Sequence, residues 1–203
     1  MTALPQAAPP PPLAKLSGAL PELLAHMDPS APALALLERE TIPASALAAL
    51  LAAGHALDAI RLLAHALPHR EAVWWACMCA RHTAPADLPA ADRTAREEAE
   101  SWVRRAEDSV RRAAFEQAQD AGFQTPEAWC AVGAFWSGDS MAPPKQPVVA
   151  PPAGLVGKAV AGAVVLASVR GDAQRQPARL QRFVASGREI ADGGPGRLPP
   201  EEG

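Results

Sequence analysis

The chain has 203 residues, 49% of them hydrophobic and 20% charged, with a net charge of -3 at pH 7. That is enough apolar content for a sizeable core, and it exerts no overall pull on nucleic acid or an anionic membrane. Ala makes up roughly 23% of the residues and Pro is 22 of 203, with five Trp, four Phe and no Tyr; such a composition favours closely packed, proline-punctuated helices and argues against extended β architectures, collagen and disulfide scaffolds.

Residues 1–12, with four consecutive prolines at 9–12, offer nothing to pack, and the tail 193–203 is Gly, Pro and acid. Both ends are expected to be disordered. Between them, 13–192 reads as one all-α domain, a compact bundle or stack of about seven or eight short helices in antiparallel hairpins. The first segment, 13–27, is weakly helical with Pro21 breaking or kinking it, and 33–40 is a short piece. Residues 44–53 present Leu47, Leu50 and Leu51, and Gly54 supplies a stop. Residues 55–67 then place Leu57, Ile60, Leu63 and Leu67 on one stripe. Pro68 fits the start of the next helix, 69–83, where Glu71 complements the helix dipole. Its run Val73-Trp74-Trp75-Ala76-Cys77-Met78-Cys79-Ala80 is apolar all round, which predicts the central helix of the domain.

Residues 92–121 read as one long amphipathic helix. Its apolar stripe is Ala95, Ala99, Trp102, Ala106, Val110, Ala113 and Ala114, and Glu100/Arg104, Glu107/Arg111 and Asp108/Arg112 stand in the favourable acid-first spacing. Gly122 ends it, and Thr125-Pro126-Glu127 starts another helix with a capping hydroxyl, carrying Trp129, Val132, Phe135 and Trp136. Residues 141–152 form a Pro-rich linker, expected to run extended across the surface to two final helices over 153–169 and 174–191. The apolar run Leu155–Val169 falls short of the roughly 18 to 20 residues a membrane span needs and contains Lys158, so it reads as a core helix. Small residues at Gly157/Ala161 and Ala159/Ala163 would let another helix approach closely.

Three cysteines, Cys77, Cys79 and Cys130, in a chain that needs no covalent staple point to a reduced, cytoplasmic setting. No positively charged start precedes a hydrophobic run, so no secretory signal is read. Metal binding would draw on His65, His69, Cys77, Cys79 and His82. Against it, Pro68 separates the first two, and Cys77 and Cys79 stand about 200° apart around a helix. A Cys79 nucleophile with His82 as its base would sit in a dry setting made by Trp74, Trp75 and Met78, which disfavours the thiolate. Packing is the simpler role for these residues. Arg104, Arg105, Arg111 and Arg112 are offset locally by acids, so no nucleic-acid partner is expected.

Two segments, Leu67-Pro68-His69-Arg70-Glu71-Ala72-Val73-Trp74-Trp75-Ala76-Cys77 and Ala134-Phe135-Trp136-Ser137-Gly138 followed by Ala142-Pro143, resemble an uncharacterised all-helical bacterial family associated with type VI secretion gene clusters. The resemblance extends over about 47–191. It implies fold and context and transfers no catalytic residue. The expected function is therefore a non-catalytic helical interaction, accessory or adaptor protein that takes a protein partner and needs no cofactor or metal. The alternative is a small-molecule-binding protein or enzyme with a Trp-rich pocket. Interaction or pocket residues would be Trp74, Trp75, Cys79, His82, Trp129, Phe135 and Trp136.

Overall fold

A computed structural model describes residues 13–201; the expectation of a disordered 1–12 lies outside the described residues. The described residues form ten α-helices: α1 (Leu20–Met27), α2 (Ala31–Leu37), α3 (Pro43–Ala52), α4 (Ala56–Ala66), α5 (His69–His82), α6 (Ala90–Arg105), α7 (Asp108–Asp120), α8 (Pro126–Trp136), α9 (Leu155–Val169) and α10 (Gln176–Ala191), with a 3₁₀ turn at Ala173–Arg175. The class is all-α, as the sequence predicts.

Proline starts helices here. Pro21, Pro32, Pro43, Pro126 and Pro177 occupy the first turns of α1, α2, α3, α8 and α10, and Pro68 and Pro89 stand at the N-caps of α5 and α6. A missing N–H is no loss at a position that has no intrahelical partner. Pro21 therefore opens α1 instead of kinking a longer helix. Thr125 caps α8 as expected, its Oγ accepting the Ala128 N–H at 3.2 Å.

The largest departure is between 92 and 121, where one helix was expected and two are found. Ala106 takes a left-handed conformation (φ 54°) and α7 turns back on α6. A straight helix over this span would be roughly 45 Å long and would overshoot a domain of this size. The elbow lets Trp102 on α6 and Val110 on α7 bury into the same core. It also re-pairs the charges. Glu100 meets Arg81 of α5 at 2.5 Å and Arg96 at 3.4 Å instead of Arg104, and Arg111 takes Asp108 instead of Glu107; of the three expected pairs, Asp108/Arg112 forms, at 2.7 Å.

α5 lies at the centre, packed against α4, α6, α8, α9 and α10. Trp75 is fully buried and donates its indole N–H to the Phe183 carbonyl of α10 at 2.9 Å. Trp74, by contrast, is half-buried at the rim. α9 packs on α8, α5 and α4 through its small residues: a Cβ on Gly157 would fall 2.3 Å from His65 Nδ1. A buried ion pair ties this layer together, with Glu127 of α8 held by both guanidinium nitrogens of Arg170 just beyond α9, one of them at 2.9 Å. Among the described residues, no helix is long and apolar enough to cross a membrane.

Residues 141–152 carry no helix or strand, but they fold back instead of running extended. The Met141 N–H donates to the Val149 carbonyl at 2.7 Å, and Ser140 Oγ accepts the Ala142 and Val149 N–H groups, both at 3.1 Å. The tail differs more. Residues 193–201, expected to be disordered, form a strap that returns along α10 and crosses α5, with the Leu198 side chain against the core.

Candidate functional site

The head of α5 opens into a cleft of about 660 Å³. Its floor is the first turn of α5 (His69, Arg70, Glu71), one wall is the α6–α7 elbow (Trp102, Ala106, Asp108), and the other is the folded-back loop from Ser137 to Val148. Pro68 fixes where α5 begins, and the left-handed Ala106 turns the elbow.

Arg111 shapes the cleft from below. Its side chain is 4% exposed, and it donates to the Phe135 carbonyl at 3.0 Å and the Ser140 carbonyl at 2.7 Å while pairing with Asp108. The guanidinium also lies 5.2 Å from the centre of the Phe135 ring, which stacks on Phe115 at 4.2 Å. A guanidinium delivers several fixed donors at once, which suits it to closing a loop whose carbonyls have lost water. Gly138 completes the fit: a Cβ there would fall 2.1 Å from Arg111 Nε, so this turn admits no larger residue while Arg111 stays in place. The hydrogen bond from Arg112, assisted by Arg111, holds the Asp108 carboxyl below the usual carboxylate range against the modest opposing effect of burial. The returning arm of the loop is exposed and apolar, with Val148 74% and Val149 50% exposed.

The residues singled out from sequence fall in three places and do not line one pocket. Trp75 and Cys79 are fully buried in the core. Burial pushes the Cys79 thiol well above its usual range, and the nearby Cys77 adds to this. Cys130 is raised in the same way, first by burial and then by its contact with Cys77. A nucleophilic thiolate needs the opposite surroundings. Trp74 and His82 lie under the strap: the Trp74 indole donates to the Pro195 carbonyl at 2.8 Å, and His82 Nδ1 donates to the Pro199 carbonyl. Trp129, Phe135 and Trp136 sit on α8, where the two indoles meet edge to face at 6.3 Å and Trp129 donates to the Phe123 carbonyl at 3.0 Å.

The histidines do not converge. His69 and His82 mark opposite ends of α5, roughly 20 Å apart. His65 faces His26 and Lys158 at the start of α9, where burial and then these two neighbours lower its pKa to about 4. Among the described residues, no group of three or more His, Cys, Asp or Glu side chains is placed to hold a metal ion.

Sequence reasoning missed Arg111 and Asp108 as the frame of a site. One signal was present: Arg111, Ala114, Phe115 and Ala118 share a helical stripe, so the arginine stands on a buried face where a cation must find partners.

A family model described as a family of unknown function, DUF6931, matches residues 46–191, a span running from within α3 to the end of α10. No curated protein matches the chain, and no solved structure does.

Proposed function

The chain belongs to DUF6931, a family of unknown function, and we propose that this member is a non-catalytic interaction protein whose protein partner docks in the cleft at the head of α5. One observation carries the reading. The two sequence segments that resemble a secretion-associated family, far apart in the chain, meet in this cleft: Pro68, His69, Arg70 and Glu71 from one face Ser137, Gly138, Ala142 and Pro143 from the other.

The chemistry of the cleft supports recognition. Arg111 is spent on two carbonyls and Asp108, which fixes the shape of the loop. The polar floor and the exposed Val148–Val149 arm make a mixed surface of the kind protein partners bury. The resemblance to a family found with type VI secretion gene clusters supports a component of that machinery as the partner, and with it an accessory or adaptor role in the bacterial cytoplasm.

Affinity capture from the native host, using the wild type, Val148→Asp and Ile42→Asp, tests this. Ile42 is 56% exposed at the start of α3 and serves as a control away from the cleft. The reading expects a reproducible partner that Val148→Asp loses and Ile42→Asp keeps. An isolated monomer with no reproducible partner, or equal capture by both variants, would refute it.

A further inference from the structure

We propose that the groove between α5 and α10 is a binding site for an extended, proline-containing segment of a partner protein, Leu-Pro-Pro followed by an acidic residue, and that residues 193–201 of this chain fill it as an internal stand-in. The contacts are those of peptide recognition. Trp74 donates to the Pro195 carbonyl at 2.8 Å, Ser186 Oγ to the Gly196 carbonyl at 2.6 Å, and His82 Nδ1 to the Pro199 carbonyl. Side-chain donors that take main-chain carbonyls suit a proline-rich strand, which has few N–H groups to satisfy and keeps its carbonyls exposed.

The spacing agrees. Trp74, Met78 and His82 share one face of α5, and from Trp74 to His82 the helix advances about 12 Å. The strap covers this rise between its contacts at Pro195 and Pro199, bending at Gly196 (φ 56°) where it passes Ile190. The acidic end has a built receptor. Arg179 holds the Glu201 carboxylate through Nη2 at 2.5 Å and Nε at 3.1 Å, and Arg175 approaches it at 3.5 Å. Arg179 is itself fixed, because its Nη1 donates to the Ser168 carbonyl at 3.2 Å and to that of Arg170. The Glu201 N–H meets the His82 carbonyl at the end of α5, at 2.7 Å. The strap leaves one group of the groove bare: His82 is 2% exposed and its Nε2 has no hydrogen-bond partner.

The strap occupies its own chain's groove because α10 ends in a tight turn. The Gly193 N–H reaches the Ile190 carbonyl at 2.9 Å and the Gly194 N–H reaches that of Glu189 at 2.8 Å, which reverses the chain onto α10. An outside occupant has to displace this strap, and Arg175 and Arg179 ask it for a carboxylate, which a partner's segment of this composition supplies. α5 and α10 lie within the family match and the strap lies beyond it.

A tethered segment competes at an effective concentration in the millimolar range. The test is fluorescence anisotropy with a labelled peptide of residues 193–201, added to the full chain and to a variant that ends at Asp192. The shortened protein is expected to bind at least tenfold more tightly than the full chain. Trp74→Phe in the protein and Glu201→Gln in the peptide should each weaken binding several-fold, whereas Arg197→Ala in the peptide should not. A shortened protein that stays folded and does not bind the peptide overturns the proposal, as does a dimer formed by exchanged straps. If shortening prevents folding, a protease site inserted between Gly193 and Gly194 allows the strap to be cut in the folded protein. Exchange of the cut strap for labelled peptide then supports the proposal, and a strap that never leaves, or leaves only on unfolding, refutes it.

Discussion

Replacing Arg111 by Ala would take the guanidinium donors away from the Phe135 and Ser140 carbonyls, the former keeping the Gly138 N–H at 3.4 Å. Hydrogen bonds to a charged group contribute about 1.5 to 3 kcal/mol each, and the guanidinium over the Phe135 ring adds about 0.5 to 1 kcal/mol. The Asp108 pair adds little, because that carboxylate is 57% exposed and solvent screens it. Water entering the open cleft would recover part of the loss, so the expected cost is about 3 to 5 kcal/mol. At about 2 to 4 °C per kcal/mol for a chain of this size, Tm should fall by roughly 10 °C. Arg111→Lys keeps the charge but can serve only one carbonyl well, and should cost about half as much. Urea unfolding followed by circular dichroism gives the free energies, and limited proteolysis should show cleavage within 140–149 before the helices open. A loss below about 1 kcal/mol for Arg111→Ala would refute the role given to this residue.

Three further outcomes follow from buried groups. His65, held at about 4 by burial with His26 and Lys158 nearby, binds its proton less readily in the folded chain than in the unfolded one. Its contribution is complete above pH 6.5 and is lost as pH falls from 6.5 towards 4, by up to about 3 kcal/mol; His65→Gln should flatten that part of the stability curve, and a curve parallel to wild type would contradict it. The raised thiols of Cys79 and Cys130 should react with a disulfide reagent at pH 8 only as fast as the protein unfolds, so rapid labelling of the native chain would show the core to be packed otherwise. Burial pushes the Asp58 carboxyl up, but hydrogen bonds from Ser30 and Arg61 outweigh it and hold it below the usual range. Asp58→Ala should therefore cost about 1 to 3 kcal/mol and speed hydrogen exchange in α2 while α5 and α9 stay protected, whereas uniform loss of protection would refute a local role.

What was legible in the sequence was what neighbouring residues decide. α9 could be read from its apolar run, α4 from its leucine stripe, and the starts of α5 and α8 from Pro68 and Thr125, because caps and periodicity act within a few residues. The break at Ala106 was not legible: alanine gives no local reason to turn left-handed, and the need for Trp102 and Val110 to reach one core made the choice. Glu100 is a similar case, since four-residue spacing pointed to Arg104 while Arg81 on another helix stood nearer. The strap was missed for the same reason at longer range. Its composition reads as disordered, and its order comes from donors such as Trp74, 121 residues away from the carbonyl it holds.

The Glu127–Arg170 pair constrains how this protein can change. The carboxylate is completely buried and the guanidinium is 18% exposed, so loss of either partner strands a charge that the interior cannot solvate, at about 3 to 5 kcal/mol for a buried pair. Replacing both together by apolar residues of similar volume is often neutral or stabilising. Two positions 43 residues apart in the chain thus behave as one inherited unit, each single substitution lying across a barrier that the double substitution avoids, and among homologous sequences they are expected to change together or stay as they are.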